Sequence, residues 1–160
     1  MGAGIQVAIP GGAALQLRHL VLDVNGTLST DGVLLPGVQE RIAVLAQSLE
    51  CHVISADTHG TAGQIAATLG CEFTQLGPGQ PQDQAKRTFI LGLGAGSVAA
   101  VGNGRNDALM LAAAALGICV IGTEGAAGAA LTAADVVSGS IADALDLLLN
   151  PLRLAGTLRR

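Results

Sequence analysis

Four stretches of the chain carry residues that could do chemistry together: a nucleophilic carboxylate, a hydroxyl, an ammonium and a second acid. Asp23 closes the apolar run "HLVLD", Ser55 closes "CHVIS", Lys86 sits in "DQAKRT", and "GNGRND" at residues 102–107 follows "SVAAV". A carboxylate can act as a nucleophile, and a hydroxyl and an ammonium can stabilise negative charge. Carboxylate and amide oxygens can hold a hard cation. Each residue also has an ordinary use: Asp23 as a turn residue, Lys86 on a solvated helix face, Ser55 as the end of a strand. The chemistry therefore depends on whether the fold brings the four stretches together.

The elements that must do this are short β-like runs alternating with helical stretches. The strands fall at 19–24, 51–55, 71–76, 97–102, 117–122 and 135–139, and the helices at 37–49, 59–69, 82–93, 105–115, 124–133, 140–149 and 152–159. Most of the strands are continuously apolar, as expected when both faces are covered. Strand, helix, strand repetition predicts an α/β fold with an open parallel sheet flanked by helices on both faces. In such a sheet ligands bind at the carboxyl ends of the strands. Asp23, Ser55 and the 103–107 turn all stand at such ends. The first eighteen residues read instead as two extended runs around a "GG" turn, a β-hairpin able to cover a sheet edge. The expected organisation is one domain: hairpin 1–18, core 19–150 and C-terminal helix 151–160.

Composition narrows the function classes. The net charge is −4 and the only aromatics are Phe73 and Phe89, which leaves no basic stripe or stacking platform for nucleic acid. The longest apolar run, "ALMLAAAALGICVIG", is too short to span a bilayer, and the N-terminus lacks the pattern of a signal peptide. Cys51, Cys71 and Cys119 are odd in number and without CxxC spacing, so they read as reduced core thiols of a cytoplasmic protein. His19 and His52 precede apolar strand residues and read as structural. His59 borders the loop after Ser55, where Asp57 is also placed.

"DVNGTLSTDG", "VISAD", Lys86 and "GNGRNDALML" resemble, in order and spacing, the four motifs of the haloacid dehalogenase (HAD) superfamily of phosphohydrolases. Within it they look most like soluble relatives of the phosphorylation domain of P-type ATPases. The resemblance covers residues 15–150 and implies a HAD-like Rossmannoid fold. It also implies that Asp23 is the nucleophile, forming an aspartyl phosphate, and that Mg2+ is held by the Asp23 carboxylate and the Asn25 carbonyl. Asn103 would be a further metal ligand, and Asp107 would orient metal-bound water or Lys86. Ser55 and the amide of Ala56 would bind a phosphoryl oxygen, with Gly26, Thr27 and Asn106 around the same phosphate. Lys86 would offset the negative charge.

Two residues depart from the pattern. Hydrolytic members carry Asp where Asn25 stands and usually an acid where Asn103 stands. An amide at 25 cannot protonate a leaving group or activate water, work that typically contributes about 10²–10⁴-fold in rate. An amide at 103 can still ligate magnesium, but without charge. Only 31 residues separate Asp23 from Ser55 and 30 separate Ser55 from Lys86, so neither gap holds a cap domain. The resemblance then implies a phosphorylated small molecule or a larger phosphorylated substrate. A homo-oligomer, the segment 29–37 or the N-terminal hairpin would close the site. The alternative is a catalytically impaired member that binds a phosphorylated ligand or a protein partner.

Overall fold

The computed structural model describes residues 2–57 and 60–160. His59 therefore lies outside the described residues. An antiparallel hairpin, β1 (Ile5–Val7) and β2 (Leu15–Leu17), opens the chain. It leads into β3 (His19–Leu22), a two-stranded ribbon β4 (Ser29–Thr30) and β5 (Val33–Leu34), and α1 (Val38–Leu45). Then come β6 (Glu50–Ser55), α2 (Thr61–Leu69), β7 (Glu72–Gln75) and α3 (Gln82–Leu93). The last stretch runs β8 (Val98–Gly102), α4 (Ala108–Ala113), β9 (Leu116–Val120), α5 (Gly128–Ala133), β10 (Val136–Ser138), α6 (Ile141–Leu149) and α7 (Pro151–Leu158).

Six strands form one sheet in the order β10-β9-β8-β3-β6-β7, and every neighbouring pair is parallel. The chain builds outward from β3 to β6 and β7, then returns to lay β8 on the other side of β3. The order thus reverses beside β3, and a crevice opens at such a switch point beyond the strand ends. The continuous apolar runs divide by alternation. Leu20, Leu22, Val53, Ala99 and Val101 pack on one face with residues of α1, α2, α6 and α7. Val21, Ile54, Val98 and Ala100 pack on the other with Ile90 of α3, Met110 and Leu111 of α4, and Ala130 of α5. Period two sends successive side chains to opposite faces, and both faces are covered, so polar positions inside the strands are few.

The hairpin does not cover a sheet edge. The Arg18 amide donates to Ser97 O at 2.8 Å, Glu50 donates to Arg18 O at 2.9 Å, and Gly4 donates to Ser48 O at 3.0 Å. These bonds hang β1 and β2 beneath the amino ends of β3, β6 and β8, where α7 packs on them. That end is opposite the crevice, so the hairpin cannot close the site. The β4–β5 ribbon stands at the crevice end, with Thr30 Oγ1 2.7 Å from Thr123 Oγ1. Cys51, Cys71 and Cys119 are all free thiols. Among the described residues no helix is long and apolar enough to cross a membrane.

Candidate active site

Asp23 is the first residue after β3, and its backbone still belongs to the sheet, its amide donating to Val101 O at 3.1 Å. The chain then turns sharply: Thr27, Leu28 and Ser29 all donate their amides to Val24 O, and Gly26 donates to Ser29 O. Gly26 has φ 78°, and a Cβ there would collide with the Asn103 amide. "NGT" is thus the local sequence that lets this turn pass against the loop after β8.

Lys86 reaches the crevice from α3. Its Nζ lies 2.8 Å from Asp23 Oδ1 and 2.7 Å from Asp107 Oδ1, with Lys86 only 1% exposed. Asp107 is fully buried, and its other oxygen accepts from the amides of Asn103 and Gly104 at 3.0 and 2.9 Å. It therefore fixes both the ammonium and the turn after β8. Close approach is built in at Gly102, where a Cβ would sit 2.5 Å from Asp107 Cγ.

The fully buried Thr27 hydroxyl faces Asp23 Oδ2 at 3.1 Å and Asn103 Oδ1 at 3.2 Å. The Asn103 Nδ2 donates to Gly125 O, which turns its Oδ1 toward Thr27. One hydroxyl has one proton for two acceptors, so this corner is rich in oxygen lone pairs and short of donors. An all-oxygen donor set of this kind suits magnesium rather than a softer metal.

Burial and the neighbouring Asp107 carboxylate push the Asp23 pKa up to about 6, against the lowering effect of Lys86 and Thr27. Burial acts to lower the Lys86 pKa, but Asp23 and Asp107 outweigh it and the net direction is upward. The ammonium stays charged, and the carboxylate facing the crevice is the strained partner.

The crevice has a volume of about 430 Å³ and brings together Asp23, Asn25, Ser55, Ala56, Lys86, Asn103 and Asn106. Gly26, Thr27 and Asp107 stand behind this lining. Ser55 Oγ accepts from the Asp57 amide at 3.0 Å, and the Asp57 carboxylate accepts from the Ala62 amide at 3.1 Å. Asp57 thus lines the crevice while serving the first turn of α2. Sequence reasoning missed Gln82, which lines the same space and accepts from Asn106 Nδ2 at 2.8 Å. Its signal was present: Gln82 lies four residues before Lys86, one turn along the same helix face.

No protein-family model matches the chain. Over 62 residues it is 55% identical to the uncharacterised protein MJ0073 of Methanocaldococcus jannaschii, a match covering 39% of this chain and 67% of that protein. Over 117 residues it is 32% identical to a copper-transporting ATPase of Arabidopsis thaliana, covering 72% of this chain but only 11% of the ATPase. Among solved structures, a Streptomyces avermitilis protein described as a HAD family hydrolase superposes with a TM-score of 0.69 at 22% identity, covering 85% of this chain and 87% of that one. The 3-deoxy-D-manno-octulosonate 8-phosphate phosphatase of Moraxella catarrhalis, in complex with magnesium, phosphate and the sugar acid, superposes with a TM-score of 0.63 at 17% identity, covering 84% and 87%. Among the described residues no cap is inserted: β3 and β6 are joined by the ribbon and α1, and β6 and β8 by α2, β7 and α3. The chain thus shares the fold of structures described as HAD family hydrolases, and in sequence it is similar to MJ0073 and to a segment of a copper-transporting ATPase.

Proposed function

We propose that the protein is a magnesium-dependent phosphohydrolase or phosphotransferase that works through an aspartyl phosphate on Asp23. The observation that carries this reading is the Lys86 ammonium, shared at 2.8 and 2.7 Å between Asp23 and the buried Asp107 at the head of an oxygen-lined crevice. Lys86 on one Asp23 oxygen and Thr27 on the other hold the carboxylate in place for attack on phosphorus. As the bond from Asp23 to phosphorus forms, the bond to the leaving oxygen breaks. Ser55, the Ala56 amide and Lys86 hold the phosphoryl oxygens, and Gln82 keeps Asn106 at the rim.

Magnesium, when bound, would neutralise the charge that the phosphate and Asp23 share, held by Asp23, the Asn25 carbonyl and Asn103, with Asp107 supporting that end from behind. The magnesium and phosphate in the Moraxella neighbour support this assignment. Asn25 supplies no proton to the leaving oxygen and takes none from water, so the acyl phosphate hydrolyses slowly. The open, cap-less crevice suits a phosphorylated small molecule or an exposed phosphoryl group on a larger substrate. A homo-oligomer would close it further.

The test is incubation with magnesium and phosphate esters, acyl phosphates or ATP, followed by measurement of phosphate release and beryllofluoride binding. Wild type is expected to show both and Asp23→Ala neither. Equal behaviour of the two proteins overturns the enzyme reading. The two neutral amides, Asn25 and Asn103, favour a second reading, a catalytically impaired protein that only binds a phosphorylated ligand. Beryllofluoride binding without phosphate release selects it.

A further inference from the structure

A second polar cluster lies at the other end of the sheet. Register places His19 of β3 directly opposite Glu50 of β6, and His52 two residues further along the same face. His19 Nδ1 is 3.3 Å from His52 Nε2 and 3.5 Å from Glu50 Oε2, and the three ligand atoms lie within 4.8 Å of one another. Bonds of about 2.0–2.1 Å in a tetrahedral zinc site put neighbouring ligand atoms roughly 3.3–3.4 Å apart. The first two separations already match that edge length.

The remaining partners complete the pattern. His52 Nδ1 faces Glu72 Oε2 at 3.2 Å. That carboxylate keeps the proton on Nδ1 and leaves the Nε2 lone pair facing His19 Nδ1, the arrangement that orients metal-binding imidazoles. Phe89 packs edge-on against His52, with ring centroids 5.6 Å apart, and stiffens the buried side. Glu50 is exposed and His19 only part-buried, which gives a path from solvent.

We propose that His19, His52 and Glu50 bind a divalent transition metal of the zinc class, with water in the fourth position. Two imidazoles and one carboxylate favour zinc over magnesium or calcium. The ion would clamp β3 to β6 at their amino ends, on the strands that carry Asp23 and Ser55 at their other ends. In the metal-free protein the His19 Nδ1–H donates to His52 Nε2. Binding moves the His19 proton to Nε2 and frees Nδ1 for the metal. The proposal is independent of the reading of the Asp23 crevice.

The test is calorimetric titration of the full-length protein with Zn2+, alongside 15N spectra of the imidazoles. One equivalent should bind with micromolar affinity or better, raise the Tm, and shift His19 from the Nδ1–H to the Nε2–H tautomer. Glu50→Gln alters an exposed side chain and keeps the fold, and it should weaken binding at least tenfold; His19→Gln should do the same. Asp23→Asn and the double variant Cys51→Ser/Cys71→Ser should bind as wild type. No binding by wild type at tens of micromolar zinc overturns the proposal. So does binding that survives Glu50→Gln and His19→Gln unchanged, or that is lost with Asp23 or the cysteines.

Discussion

Lys86 Nζ stands 2.8 Å from Asp23 Oδ1, although 63 positions separate the two residues in sequence, and the only other group on that ammonium is Asp107 among the hydrogen bonds and ion pairs of the described residues. One buried cation between two buried carboxylates leaves the site with an excess negative charge. The site is thus poorly balanced in charge, and this imbalance can be measured.

Replacing Lys86 with Met keeps the volume of the aliphatic stem but leaves Asp23 and Asp107 facing each other without a cation. Breaking a buried pair from one side typically costs about 3–5 kcal/mol. Lys86→Met is therefore expected to lower stability by roughly 3 kcal/mol in urea denaturation at pH 7.5 with chelator present, and to recover part of it at pH 5. A loss below about 1 kcal/mol, the size of an exposed pair, would show that Asp23 and Asp107 are far better solvated than their burial indicates.

Asp23 gives the same imbalance a pH dependence. Burial and Asp107 raise its pKa to about 6 in the folded chain, against an ordinary value of 3.8. The folded state therefore binds the proton more tightly than the unfolded state. The stability this contributes is fully present below about pH 3.8 and is lost as pH rises through about 6. Chelated wild type is expected to lose on the order of 2 kcal/mol between pH 4.5 and 7.5 from this group, and Asp23→Asn to escape that loss. Parallel curves for the two proteins would rule it out.

Gly102 is a packing test of the same site. A Cβ there would meet Asp107 Cγ at 2.5 Å, whereas one on Gly139 would meet nothing within 4 Å. Gly102→Ala must push Asp107 away from Lys86 and from the amides of Asn103 and Gly104. It is expected to cost about 2 kcal/mol, with Gly139→Ala near neutral. Chemical denaturation of both variants checks this, and equal stability would mean that the turn relaxes around the added methyl.

Much of this architecture was legible in the sequence, for reasons visible in particular residues. "HLVL", "CHVIS" and "SVAAV" are apolar on both faces, so they could only be interior strands, and the polar residues ending them had to meet at one edge of the sheet. The helices came out shorter than their patterns: residues 124–127 precede α5, and 105–107 form a 3-10 turn before α4. The hairpin was misplaced because its own residues carry no record of what lies beneath it; the Arg18 and Glu50 backbone bonds decide that. The nearness of His19 and His52 was not legible, because only the register of β3 on β6 makes the two neighbours. Gln82 was missed because its role runs through Asn106, a partner 24 residues away. Asp23, Ser55 and Lys86 needed no such information, since strand ends and a following helix place them.

Asn25 is the position where the proposed chemistry is most easily changed. It lines the crevice beside Asp23, and its strand-like pairing with Ser29 sets its backbone without using the side chain. A carboxylate there could protonate the leaving oxygen and then draw a proton from water, so Asn25→Asp should speed phosphate release roughly 10²-fold and shorten the lifetime of the phosphoenzyme. It also adds another acid beside the Asp23–Lys86–Asp107 cluster, in which the acids already outnumber the one cation. The variant should therefore be less stable than wild type in chelator and regain that stability as magnesium is added. Asn103→Asp offers the contrast: a charged ligand in place of a neutral one should reduce the magnesium needed for half-maximal beryllofluoride binding, with little change in the lifetime of the acyl phosphate. Quench-flow measurement of the phosphoenzyme in the two variants separates metal affinity from proton transfer. If Asn25→Asp leaves the lifetime unchanged while phosphorylation of Asp23 persists, the missing acid is not what limits this site.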